Sequence, residues 1–392
     1  MSDKNPVTTV WDYLRWRGDL PLTRDEFNEV DNLLLCIVSY IDFRRVAQLK
    51  SFAPIDAMSI GEVCALLTEE DEQLGLSTED YIPVMRAMAL SERFRDVKMF
   101  AFESSNDEEK VMQFAAVSFL LPDNSVFVAY RGTDTTLVGW QEDFHMSFLT
   151  AVPAQLRATE YAKEVAAVTP RKALRLGGHS KGGNLAAWAA IHLPEKLQRK
   201  RLAAAYNNDG PGFAKEVLES EAYARVEEKI HTFIPESSIV GMLLEHAEDY
   251  TIIDSTNHSL MQHEPLSWNV LGNQFIYLGQ RSEAAQLGDN VVRELLANMS
   301  VEERREFTEA LYSILSMGGK VKTLEDLRNG GLSGNLALVK EYIGADEKKK
   351  KIITQIVKRL AADATGELRK AAEEKLKTAE QSFRQAVLER KK

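Results

Sequence analysis

At 392 residues, with 44% hydrophobic and 27% charged side chains, the chain has the makeup of an ordinary soluble globular protein. It is long enough for two domains, or for one large domain with extensions. A net charge of −11 argues against nucleic acid as the main partner, which needs a concentrated basic face. Two cysteines are too few for a disulfide framework, so Cys36 and Cys64 read as small buried hydrophobes. Met1–Pro6 leads into a charged segment without an apolar leader core, and no run approaches an uninterrupted membrane span of ~20 residues. The expected location is the cytoplasm.

Residues 7–90 look helical. Thr23-Arg-Asp-Glu26 fits a capping box, and Phe27, Val30, Leu33, Leu34, Ile37, Val38 and Ile41 follow at helical spacing. A second helix is expected from Ile60 to about Leu67. The aromatic run Asp12-Tyr-Leu-Arg-Trp-Arg-Gly-Asp19 reads as an arm docked on the core rather than a partner surface. From 91 the pattern changes to apolar runs at Val111–Leu121 and Ser125–Tyr130, divided by Pro122-Asp-Asn124, a hairpin signal. A polar stretch with Trp140 comes next, followed by a helix near Ala154–Ala167, a strand at Leu174 and a helix ending at His192-Leu-Pro194. Strands are expected at Leu202–Asn208, Lys229–Ile234 and Tyr250–Asp254. An acidic helix is expected near 214–227 and another over Ile239–Glu245. Strands alternating with helices predict an α/β fold with a largely parallel sheet.

Beyond about 271 the chain turns helical again. Ser300-Val-Glu-Glu303 caps an amphipathic stretch over Val301–Leu315, and Gly330, Gly331 and Gly334 mark a loop. Residues 345–392 hold 14 Lys/Arg against 8 Asp/Glu, a net +6. The expected organisation is an N-terminal helical segment packed on the core (1–90), an α/β core (91–270) and a C-terminal helical region with a charged tail (271–392).

The chemistry centres on Gly178-His-Ser-Lys-Gly182, a G-x-S-x-G elbow in which a strained strand-to-helix turn holds the serine. Serine is a poor nucleophile until a base takes its proton, so Ser180 needs a histidine and an orienting acid. In α/β-hydrolases these follow the serine in the order acid, histidine, at the ends of later strands. That order excludes His145. His179 lies within the turn itself, His192 at the far end of the elbow helix and His231 inside a strand. His246, His258 and His263 remain. His263 is preferred, because Gln262-His-Glu-Pro265 followed by Trp268 reads as a tethered loop. For the acid, Asp209 at the end of the strand after the elbow is preferred, with Glu236 one strand later as its rival. The oxyanion hole needs two backbone N–H donors. Lys181 supplies one from the helix start, and Thr133, in the loop after the 126–130 strand, supplies the other. The Lys181 side chain is expected to leave the first helical turn toward solvent, which disfavours a Ser-Lys pair. No histidine spacing suggests a metal, and no cofactor is expected.

Tyr130-Arg-Gly-Thr133, the loop with Trp140 and Asp143, and the elbow together resemble the class 3 (fungal-type) lipases of the α/β-hydrolase fold. The resemblance implies that the Gly-Thr pair provides the oxyanion donor and that the Trp140 segment, with Asp143, forms a lid or substrate-binding element. More closely, the chain resembles the bacterial Mbeg1-like proteins. The carrying stretches are Asp12–Asp19, Phe27-Asn-Glu-Val-Asp31, His179–Asn184, Asn208-Asp-Gly-Pro-Gly-Phe213, Ser238–His246 and Gln262-His263. One departure stands out. Class 3 lipases open an Asp-Pro-Val-Pro segment with their acid, and Pro235-Glu-Ser-Ser-Ile-Val240 here puts serine at or near that point.

The expected function is a serine esterase acting on a small-molecule ester or lipid. The alternative is a weak or inactive hydrolase-fold protein that works as an interaction or membrane-surface module. The basic tail is a candidate for peripheral membrane contact. The sequence leaves the acyl chain and the oligomeric state open.

Overall fold

In the computed structural model the described residues are 8–68, 81–134, 137–146, 149–238, 240–242, 244, 246–257 and 259–279, with 302 and 305. The chain divides into two units, Met1–Gln286 with Lys322–Glu325, and Leu287–Val321 with Asp326–Lys392. Apart from helical Glu302 and Arg305, the features expected at 300–392 lie outside the described residues.

The first unit is built on an eight-stranded sheet whose spatial order is its chain order. The strands are β1 (Met58–Ser59), β2 (Lys98–Asp107), β3 (Met112–Leu120), β4 (Ser125–Tyr130), β5 (Ala173–His179), β6 (Leu202–Asn208), β7 (Ile230–Pro235) and β8 (Tyr250–Ile253). Pairing is antiparallel from β1 to β4 and parallel from β4 to β8. The β3–β4 turn falls on Pro122-Asp-Asn124, where Asn124 takes a φ of 62°, a conformation asparagine tolerates better than most residues.

Sequential order has a consequence through handedness. Right-handed crossovers that always step in one direction put every connecting helix on the same face. There the helix Pro153–Val168 and the elbow helix Lys181–His192 pack against Val126, Val128, Leu174 and Leu176. The opposite face needs a separate cover, and the N-terminal residues provide it. Helices Val10–Arg17, Glu29–Val38 and Tyr81–Leu90 share a second core with Val117, Phe119, Phe127, Ala129 and Phe233. Strand β4 is thus buried on both sides. This is the α/β-hydrolase-like arrangement, a mostly parallel sheet flanked by helices.

Several elements differ from the sequence expectation. The helix expected behind Thr23–Glu26 begins only at Glu29, because Asn28 caps it and Asp31 reciprocates. The Thr23–Glu26 stretch is instead part of a loop wrapped on buried Arg93, which donates to the carbonyls of Leu20, Asp25 and Glu26. Arg93 also pairs with buried Asp31, which accepts from Tyr13, so the aromatic run at 12–19 is docked through this network. Strand β2 had no clear signal. Its second half is polar, and a bulge between Phe100 and Glu103, with Ala101 at φ 57°, breaks its alternation. The acidic helix is two short ones, Lys215–Leu218 and Glu221–Ala224, since Ser220 caps the second. Both cysteines are buried and unbridged. Among the described residues no helix is long and apolar enough to cross a membrane.

Candidate active site

Strand β5 ends at His179 and the elbow helix starts at Lys181, leaving Ser180 between them at φ 60°, ψ −134°. Such a conformation persists only where the surroundings over-determine it. Here the Ser180 N–H donates to the Asn208 carbonyl (2.9 Å) and its own carbonyl accepts from Gly183 (2.9 Å). The motif glycines are required by contact. A Cβ on Gly178 would stand 2.1 Å from the Gly182 backbone, and one on Gly182 would stand 2.2 Å from the Tyr130 carbonyl oxygen. Gly182→Ala is therefore expected to lower stability by about 1–3 kcal/mol in a thermal melt, the usual range for overpacking. An unchanged midpoint would mean that the β4 backbone yields.

Asp209 follows β6 at a φ of 54°, held by its N–H on the Phe233 carbonyl (2.8 Å) and by Gly210 on Asn207 Oδ1 (2.9 Å). Its carboxylate is fully buried, and Oδ2 accepts from Nδ1 of His263 at 2.6 Å. The Ser238 hydroxyl donates to the same oxygen at 2.6 Å. This carboxylate lies one strand earlier than the position the class 3 resemblance implies for an acid, and Ser238, near that position, donates to it. Glu236 turns at the end of β7, its N–H on the Ile253 carbonyl. His246 faces Glu248 and the Gly241 carbonyl. His258 lies outside the described residues.

The His263 loop is tethered as its sequence suggests. Gln262 accepts from the Ser237 N–H and donates to the Asn257 carbonyl, while buried Trp268 donates to the Gln262 carbonyl. The His263 ring packs against that of His179, with centroids 4.6 Å apart, which carries it over the residue next to Ser180. His179 is not free to serve as a base. Burial, with His263 beside it, holds its pKa well below the ordinary imidazole value. Its Nε2 faces the His263 carbonyl at 2.8 Å, so that nitrogen carries the proton. Among the described residues Ser180 Oγ makes no hydrogen bond to His263, whose Nδ1 is on Asp209.

The Gly132–Thr133 loop closes against the elbow. A Cβ on Gly132 would stand 3.1 Å from Ser180 Cβ. Thr133 donates its hydroxyl to Asp143 Oδ2 at 2.5 Å. Asp143 and Trp140 lie on a helix, Leu137–His145, rather than a loop; the Trp140 side chain lies outside the described residues. Burial pushes the Asp143 carboxyl from the ordinary 3.8 up to about 6, against the pull of Lys181 and Thr133. The folded chain therefore binds an extra proton between these values, and this group's contribution to stability falls as pH rises through that window. Asp143→Asn is expected to flatten that part of the profile, gaining on the wild type between about pH 4 and 6 in denaturant midpoints. Parallel curves would contradict the assignment.

The Lys181 side chain does not go to solvent. It is buried, and Nζ donates to Glu142 Oε2 (3.0 Å), Gln113 Oε1 (2.9 Å) and the Gln113 carbonyl (3.1 Å). Helix amphipathicity gave no hint of this, because the buried carboxylate that receives the lysine comes from another helix. Glu142 also accepts from the N–H groups of Gln113 and Ala154. Glu142 and Gln113 carry no local signal of their place around the site. Asn184 also has an architectural part: it accepts from Gln155 and donates to the carbonyls of Pro211 and Gly212, fixing the turn after Asp209. Among the described residues, no cluster of three or more His, Cys, Asp or Glu is arranged to hold a metal.

The model of the Mbeg1-like family matches residues 88–313, more than half the chain, and the chain belongs to that family. No curated protein matches it in sequence. Solved structures that align include a mutant form of MDLA from Penicillium cyclopium, at 16% identity over 62% of this chain and 83% of that one, TM-score 0.39. Lipase II from Rhizopus niveus aligns at 11% identity over 62% and 83%, TM-score 0.33. The Rhizomucor miehei lipase propeptide complex aligns at 15% identity over 44% and 70%, TM-score 0.32. The fold assignment rests on the sheet order and the elbow, not on these alignments.

Proposed function

We propose that this Mbeg1-like protein is a serine hydrolase that cleaves a carboxylic ester, of a lipid or another acyl substrate, through an acyl-enzyme on Ser180. The observation that carries the reading is the buried Asp209 carboxylate on Nδ1 of His263, with the imidazole packed against His179 beside the elbow. An acid so placed fixes the tautomer that leaves Nε2 as the base. In the proposed reaction Ser180 Oγ attacks the ester carbonyl as His263 Nε2 takes its proton. The Lys181 and Thr133 N–H groups receive the oxyanion, and Asp143 keeps the Thr133 side chain in place. The leaving alkoxide takes the proton from His263 and departs as the alcohol. Water then attacks the acyl carbonyl as the same histidine takes its proton, and His263 returns that proton to Ser180 Oγ as the acid leaves.

The Asp209 contact counts against an inactive binding module, since it gives His263 a carboxylate partner although Pro235–Val240 departs from the class 3 acid segment. The direct test is hydrolysis of a p-nitrophenyl ester series of increasing acyl length. Turnover by the wild type, lost in both Ser180→Ala and His263→Ala, is the expected outcome. Activity that survives either change would overturn the mechanism.

A further inference from the structure

Two tyrosines of the N-terminal helical segment reach the candidate site. Tyr40, just beyond the helix Glu29–Val38, is buried with its hydroxyl 3.0 Å from His179 Nδ1 and 3.2 Å from the His179 carbonyl. The same oxygen lies against the oxyanion loop, where a Cβ on Gly132 would stand 2.1 Å from it. Because His179 Nε2 must donate to the His263 carbonyl, its Nδ1 is the lone-pair nitrogen, and Tyr40 is the donor to it. Tyr81 opens the helix Tyr81–Leu90, stacks edge-on with Tyr40 at 5.4 Å, and donates to Glu264 Oε1 at 3.1 Å. Glu264 directly follows His263.

We propose that Tyr40 and Tyr81 are positioning residues, through which the N-terminal segment clasps the oxyanion loop, the elbow and the histidine loop into one working arrangement. The inference rests on the hydrolase reading of Ser180 and His263. It gives the N-terminal segment a task that the reaction chemistry alone does not. One phenol touches both the oxyanion loop and the end of β5, and His179 passes the constraint to the histidine loop. The handedness of the sheet explains why an appended segment does this work: its own crossover helices all lie on the other face.

The test is Tyr40→Phe, which keeps the ring and removes only the hydroxyl. Turnover of a short-chain p-nitrophenyl ester, measured well below the melting midpoint, is expected to fall about ten- to a hundredfold with KM unchanged, the scale of effect that misplaced groups produce. The imidazole ¹⁵N resonances of His179 are expected to move toward a mixed tautomer. Tyr81→Phe, acting through Glu264, is expected to give a smaller fall in the same direction, and serves if Tyr40→Phe does not fold. A folded Tyr40→Phe or Tyr81→Phe protein with turnover and His179 resonances of the wild type would assign these residues to packing alone and overturn the inference. A wild type with no esterase activity would instead strike the hydrolase reading, while the ¹⁵N shift would still report the clasp.

Discussion

Asp209→Asn is expected to reduce ester turnover by about 10⁴-fold while leaving the fold intact, the loss known when a triad acid becomes its amide. The loss comes through the tautomer of His263. Asp209 Oδ2 accepts from Nδ1 of His263 and from the Ser238 hydroxyl, each at 2.6 Å. An amide can turn its NH₂ toward the imidazole, which puts the proton on Nε2 and leaves Ser180 without a base. Steady-state rates for Asp209→Asn, Glu236→Gln and Ser238→Ala separate the roles. Glu236→Gln is expected to behave like the wild type. Ser238→Ala removes one of two donors to the carboxylate and is expected to cost an intermediate amount. A Glu236→Gln enzyme as impaired as Asp209→Asn would move the acid to the later strand.

The second large effect is expected at Lys181. Its ammonium is buried with the Glu142 carboxylate and the Gln113 carbonyls, so Lys181→Met leaves a buried charge and two acceptors without their donor. Removing one partner of a buried ion pair destabilises by about 3–5 kcal/mol. Chemical denaturation of Lys181→Met is expected to read a loss of that size. The double variant Lys181→Met, Glu142→Gln is expected to recover part of it, since the stranded charge is then gone. Equal stability of single mutant and wild type would contradict the pairing.

Much of this was legible in the sequence because its signals are local. The elbow needs glycine at two positions where backbones touch, and Pro-Asp-Asn turns a hairpin wherever it occurs between strands. The order of Ser180, Asp209 and His263 follows from strands that run in sequence and present their ends on one edge. The Gln262-His-Glu-Pro265 loop announced its tethering through residues that bond within a few positions. What the sequence hid is carried by contacts across long separations. Lys181 sits in the first turn of a helix, where solvent is the default, and only the fold brings Glu142 to meet it. The capping-box pattern at Thr23–Glu26 opens no helix because Arg93, far along the chain, holds that stretch as a loop. Tyr40 has no motif around it, so its link to His179 could not be read before the sheet's bare face was seen to need a cover.

The central claim is that Ser180 is an activated nucleophile, and a fluorophosphonate tests it most directly. Intact-mass and peptide analysis of the labelled chain is expected to find one adduct, on the peptide that holds Ser180, abolished by Ser180→Ala and slowed by Asp209→Asn. A folded wild-type protein that takes no adduct, or takes it on another serine, would contradict the account.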